Sequence, residues 1–159
     1  MDRSTAAGRE ACEKGAAIVP TRILIFERKG SLARGMAAFL PGRDYGIHVT
    51  PATRSSLALL ATFRADLILL HVEEPADWGL LGEIRARCGV PVILCSACQS
   101  QTDAVRGLRQ GADDYVRWPS SQIELEARIL ARLRRARWDS SDYKGFAKHP
   151  GAKRSGPNP

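Results

Sequence analysis

Short runs of consecutive apolar residues recur along this chain, separated by amphipathic stretches of helical length. Arg22-Ile23-Leu24-Ile25-Phe26-Glu27, Ala65-Asp66-Leu67-Ile68-Leu69-Leu70-His71 and Val90-Pro91-Val92-Ile93-Leu94-Cys95-Ser96-Ala97 are apolar at successive rather than alternate positions. Strands buried on both faces read this way, and they occur where helices cover a parallel sheet from either side. The pattern predicts strands at 22–27, 46–50, 66–71, 91–96 and 113–117. Between them, Leu32, Met36, Phe39 and Leu40 fall on one face of a first helix, and Leu57, Leu60 and Ala61 on one face of a second. The last helix has the clearest start: Ser121 with Glu124 three residues on is a potential capping box, and Leu125, Ile129 and Leu133 then repeat at every fourth position.

The flanks differ in composition. Residues 1–20 mix Ala, Gly and charge without a sustained period, and beyond Arg137 the chain turns to Gly, Ser, Lys and Pro. This predicts a flexible arm at 1–20, one folded domain at 21–137 and a flexible basic tail at 138–159. With 159 residues, a domain of this size buries enough surface to fold without staples. No apolar run approaches the roughly 20 residues of a membrane helix. The start Met1-Asp2-Arg3-Ser4-Thr5 lacks the pattern of a secretory signal, so a cytoplasmic protein with no membrane contact is expected.

Charge and cysteines narrow the chemistry only a little. The net charge of +7 favours anionic partners, and its cations cluster at Arg128, Arg132, Arg134, Arg135 and Arg137, with Lys144, Lys148, Lys153 and Arg154 behind them. Such a cluster attracts nucleic acid weakly and without sequence preference through its phosphates, and cations also suit the end of a helix for its dipole alone. Cys12, Cys88, Cys95 and Cys98 lie in a chain without an export signal, which points to small buried residues rather than disulfides. Cys95 and Cys98 form a Cys-x-x-Cys, and with His71 they define a thiol or metal sensor as a third, weaker class; a closed zinc site needs four ligands.

Several motifs in order carry a resemblance. Asp66-Leu67-Ile68-Leu69-Leu70, Gly79 after His71, Val90-Pro91-Val92-Ile93, Gly111-Ala112-Asp113-Asp114-Tyr115 and Glu124-Leu125 with Ala127-Arg128-Ile129 resemble the receiver domains of two-component response regulators, closest to the OmpR-type branch, over residues 22–137. The resemblance implies a CheY-like, doubly wound α/β fold: a five-stranded parallel sheet in the order 2-1-3-4-5, with its crevice beyond the carboxyl ends of strands one and three.

Phosphoryl transfer to such a domain requires a carboxylate nucleophile, a magnesium ion held by that carboxylate and an acidic pair, a hydroxyl and a lysine. By the resemblance, Glu27 holds the first acidic position and Ser96 the hydroxyl position. Arg28 replaces the carboxylate that binds magnesium most directly, His71 the phosphate acceptor, and Trp118 the lysine before Pro119, a step that is a cis peptide in the family. The expected arrangement is a guanidinium in place of the ion, with Arg28 paired to Glu27, no cofactor and no phosphorylation. Ser96 and Tyr115 match the pair that moves together when receivers switch. Asp113, Asp114, Glu124, Arg128 and Arg135 match positions of the cross-dimer ion pairs on the face of the fourth helix, fifth strand and last helix, although Ala104 stands where a basic partner for Glu124 is expected.

The reading is a receiver that is not an enzyme and acts on a signalling protein or on a second copy of itself. The alternative is a truncated or atypical OmpR-type transcription regulator. Residues 138–159 are too few for a winged helix, which favours the first.

Overall fold

A computed structural model describes residues 20–39, 45–97 and 101–146. Five strands, β1 (Thr21–Glu27), β2 (Tyr45–Pro51), β3 (Leu67–Val72), β4 (Val92–Ser96) and β5 (Asp114–Arg117), alternate with helices α1 (Ser31–Phe39), α2 (Leu59–Thr62), α3 (Pro75–Arg85), α4 (Gln101–Arg109) and α5 (Gln122–Phe146). The strands form one parallel sheet in the order β2-β1-β3-β4-β5. Every strand predicted from the apolar runs is present.

Consecutive apolar residues serve both faces because side chains alternate along a strand. Ile23, Ile25, Leu67, Leu69, Ile93 and Cys95 pack with Leu32 and Met36 of α1 and Leu125, Ile129 and Leu133 of α5. Their neighbours Leu24, Phe26, Ile68, Leu70, Val92 and Leu94 pack with Trp78, Leu81 and Ile84 of α3 on the other face. At the edge opposite the crevice, the guanidinium of Arg85 binds the carbonyls of Gly111 and Val90 and the carboxylate of Asp113, tying α3 to the turns that enter β4 and β5.

Three expectations are corrected. A 3-10 turn at Ser55–Ala58 precedes α2, and its tighter winding rotates the faces, so Leu57 is buried, Leu60 and Phe63 pack at its side and Ala61 is exposed. The helix α5 runs past the predicted boundary at Arg137 to Phe146. No proline interrupts it there, and adding a residue to an existing helix is far easier than starting one. Thirdly, Asp113 faces α3 rather than α5, as described below. Residues 1–19 and 147–159, which include most of the predicted arm and much of the tail, lie outside the described residues, as do Leu40 and Cys98.

Candidate functional site

The site forms where β1, β3 and β4 end. β1 delivers Glu27, and Gly30, at φ +69°, turns the chain into α1. That turn brings the helix start back onto the strand end. Glu27 is buried, and its carboxylate accepts hydrogen bonds from the backbone N–H groups of Leu32 (2.9 Å) and Ala33 (3.2 Å). An anion at this place satisfies the unpaired amides of the first helical turn.

Arg28 therefore does not pair with Glu27, contrary to expectation. Its Nε and Nη2 reach Asp77 Oδ1 at 2.9 and 2.8 Å, with Glu74 Oε2 at 3.8 Å. The Asp77 carboxylate is buried, and its Oδ2 accepts the N–H groups of Glu73 (3.0 Å) and Glu74 (2.9 Å) at the start of α3. Asp77 raises the Arg28 guanidinium above its ordinary value through hydrogen bonding and charge. Sequence reasoning missed Asp77. Its signal was Glu74-Pro75-x-Asp77, an acidic residue three positions into a helix that begins with proline.

His71 sits on β3 beside Cys95 of β4 and is buried. Its Nδ1 lies 3.4 Å from Glu73 Oε1 yet makes no hydrogen bond, and Glu73 Oε2 is also buried without one. Burial pushes the imidazole below its ordinary value, against Glu73, Glu27 and Asp77, which pull it up. Lys29 Nζ stands 4.0 Å from Glu73 Oε2.

Trp118 belongs to the core. It packs in the cluster with Leu32 and Met36, and its indole lies over Gly35 of α1 so closely that a Cβ there would be 2.5 Å from Cη2 and 2.6 Å from Cζ2. The Trp118–Pro119 peptide is cis, and the Trp118 N–H donates to the Ser96 carbonyl at 2.8 Å. Between these groups lies a cleft of about 730 Å³, lined by His71, Ser96 and Trp118 with Lys29, Glu73 and Trp78 among others. The Arg106 guanidinium covers the Trp78 ring at 4.8 Å from its centroid. Neither Glu27 nor Arg28 lines this cleft; Arg28 faces a separate hollow with Thr53 and Glu83.

Residues 23–130 match the response regulator receiver domain. The chain belongs to that family. The sensory transduction protein RegX3 of Mycobacterium tuberculosis (strain ATCC 25618 / H37Rv) is 43% identical over 126 residues, covering 77% of this chain and 55% of that protein. The DNA-binding response regulator MtrA of Mycobacterium leprae (strain TN) is 36% identical over 116 residues, covering 72% and 52%. The receiver thus spans about half the length of these relatives. The solved receiver domain of the TMAO respiratory system response regulator TorR superposes with a TM-score of 0.63 at 31% identity, over 74% of this chain and 99% of that one. The signal receiver domain of a LuxO repressor protein from Vibrio parahaemolyticus shares the fold, with a TM-score of 0.69 at 22% identity over 82% and 99%.

On the receiver's second predicted surface, Arg128 holds Asp114 (3.0 Å) and Glu124 (2.8 Å), and Arg132 adds a second contact to Asp114 at 3.3 Å. Asp114 and Glu124 raise the Arg128 guanidinium, Glu124 most, against a smaller lowering by burial. Arg135 is exposed farther along α5. Asp113 is not part of this group: it accepts the Val92 N–H at 2.8 Å and binds Arg85. Tyr115 is half-buried against the cluster of α3. Cys95 is fully buried and its thiol is pushed up to about 12 by burial, so it carries no thiolate at neutral pH. Among the described residues, no three His, Cys, Asp or Glu side chains gather as a metal site, and no helix is long and apolar enough to cross a membrane.

Proposed function

We propose that this receiver works without phosphorylation, as a protein-interaction module of two-component signalling in the cytoplasm, and that it has no enzymatic activity. The observation that carries the reading is the Arg28–Asp77 pair. It joins the loop after β1 to the first turn of α3 with a tethered cation, while His71 stands at the position of the acceptor and Trp118 packs as core. By the resemblance, the positions of the second metal-binding carboxylate, the nucleophile and the neutralising lysine are held by Arg28, His71 and Trp118, which cannot take those roles in phosphoryl transfer.

The interaction surface in this reading is the face of α4, β5 and α5, and its partner a second copy or another signalling protein. Val105 and Leu108 on α4 and Leu130 on α5 are exposed apolar residues on the elements of this face, which also carry the Asp114–Glu124–Arg128 network. Exposed ion pairs contribute only about 0–1 kcal/mol each, so the network sets register and partner choice more than affinity. Full-length chain incubated with acetyl phosphate and magnesium should keep its unmodified mass. In sedimentation it should form a weak homodimer that Arg128→Glu converts to monomer with the fold intact. Phosphate on the intact protein would sink the first claim. A monomer at high concentration, with no partner lost on Arg128→Glu in a pull-down, would sink the second.

A second reading, a DNA-binding regulator, is favoured by the naming of the MtrA relatives and by the exposed Arg134, Arg135 and Arg137 on α5. Weak binding that falls steeply with salt would reflect counterion release by this basic segment alone. A sequence-specific footprint at physiological salt would establish the second reading instead.

A further inference from the structure

The cleft beside His71 has the make-up of a small-molecule site. At about 730 Å³ it falls within the roughly 300–1,000 Å³ typical of ligand pockets. Much of its wall is apolar, from Val72, Pro75, Trp78, Ala97 and Trp118. One buried polar atom interrupts that wall: His71 Nδ1 makes no hydrogen bond. Buried polar groups are almost always satisfied, and the group beside this one cannot serve, because Glu73 Oε1 at 3.4 Å is itself an acceptor. Burial favours the neutral imidazole, and with its proton on Nε2 the ring needs a donor at Nδ1. The cleft that His71 lines is the side from which one can arrive.

The charges around the cleft select a neutral ligand. Lys29 stands 4.0 Å from Glu73, Glu74 lies 3.8 Å from Arg28, and Arg106 covers Trp78. Cations and carboxylates thus answer one another, and an ion of either sign would meet an opposing charge as soon as a favourable one. We propose that the cleft binds a neutral, flat aromatic molecule carrying an N–H or O–H donor, with the donor on His71 Nδ1 and the ring against the apolar wall of Trp78 and Trp118. Burial of the ring supplies most of the affinity, and the single hydrogen bond sets orientation. The ligand lies where β3 and β4 end, so within the phosphorylation-free reading it gives the receiver an input other than phosphate.

Indole is the probe, with N-methylindole as its donor-free counterpart and benzoate and benzylamine as charged ones. Each is titrated into the isotope-labelled full chain, and binding is read from amide shifts in NMR spectra. Wild type should respond to indole at Val72, Glu73 and Ala97, and should bind N-methylindole about fivefold more weakly, the worth of one neutral hydrogen bond. Both charged probes should bind more weakly than indole. His71→Leu, apolar in a buried strand, should bind the two indoles alike, and Ala97→Phe, at an exposed position on the cleft wall, should lose both. Unchanged amide spectra away from the cleft report that the variants are folded. The proposal is overturned by an absence of shifts at the cleft, by equal affinity of wild type for both indoles, by tighter binding of a charged probe, or by full binding to Ala97→Phe. Each of these leaves the interaction reading intact, because mass and sedimentation without any probe test that separately.

Discussion

Glycine in the middle of a helix is ordinarily a weakness, and replacing it with alanine stabilises by about 0.5–1 kcal/mol. Gly35 in α1 should behave in the opposite way. An added Cβ would stand 2.5 Å from Trp118 Cη2, and the indole is 7% exposed and walled in by Leu32, Met36 and the sheet. Overpacking of this kind costs about 1–3 kcal/mol, so Gly35→Ala should be net destabilising by about 1 kcal/mol. Trp118→Leu removes the two offending ring carbons and keeps an apolar side chain, at less than the about 3–5 kcal/mol of truncation to alanine. In that background the same Gly35→Ala should become stabilising by about 0.5–1 kcal/mol. The sign reversal is the prediction, a coupling of about 1–3 kcal/mol in a double-mutant cycle, read from urea midpoints at constant m-value. If Gly35→Ala stabilises wild type as much as it stabilises the leucine background, Trp118 does not pack on α1 as described.

Asp77→Ala removes the acceptor of two backbone N–H groups and frees Arg28 into solvent; thermal melts should show a loss of about 1–2 kcal/mol, with Asp77→Asn milder. Acidification should weaken the fold through His71. Below the ordinary 6.5 the unfolded chain takes up a proton that the buried imidazole refuses, so this contribution is lost as pH falls, and His71→Leu should flatten the slope of stability against pH. At the alkaline end Cys95 acts in reverse: stability should decline as pH rises above 9.0, and the native thiol should resist alkylation until the chain unfolds.

The sheet was legible because runs such as Leu67-Ile68-Leu69-Leu70 cannot be buried on one face alone. The second helix was less so: the residues are apolar enough, but a 3-10 turn changes which of them face inward, and nothing in the spacing announces it. At the site, sequence placed His71, Ser96 and Trp118 around one cleft. It paired Arg28 with the wrong carboxylate because adjacency in sequence hid two facts. Glu27 is drawn to the amides of α1, and Asp77, far along the chain, is already held in place by the amides of α3. Asp113 and Asp114 looked equivalent as neighbours. Residues next to each other in an extended segment point to opposite sides, so one joins Arg85 and the other Arg128.

The tie between Arg28 and Asp77 also changes what kind of object the crevice is. A free ion has a concentration, an off-rate and competitors, and a loop it holds is a reporter of all three. A guanidinium on the residue that follows its own strand does not exchange with solvent ions, and its effective concentration at Asp77 is set by the length of the side chain. The loop after β1 and the start of α3 are therefore joined without any free ion, and their spacing does not report the concentration of one. In the reading proposed above, information enters this protein somewhere other than through that joint.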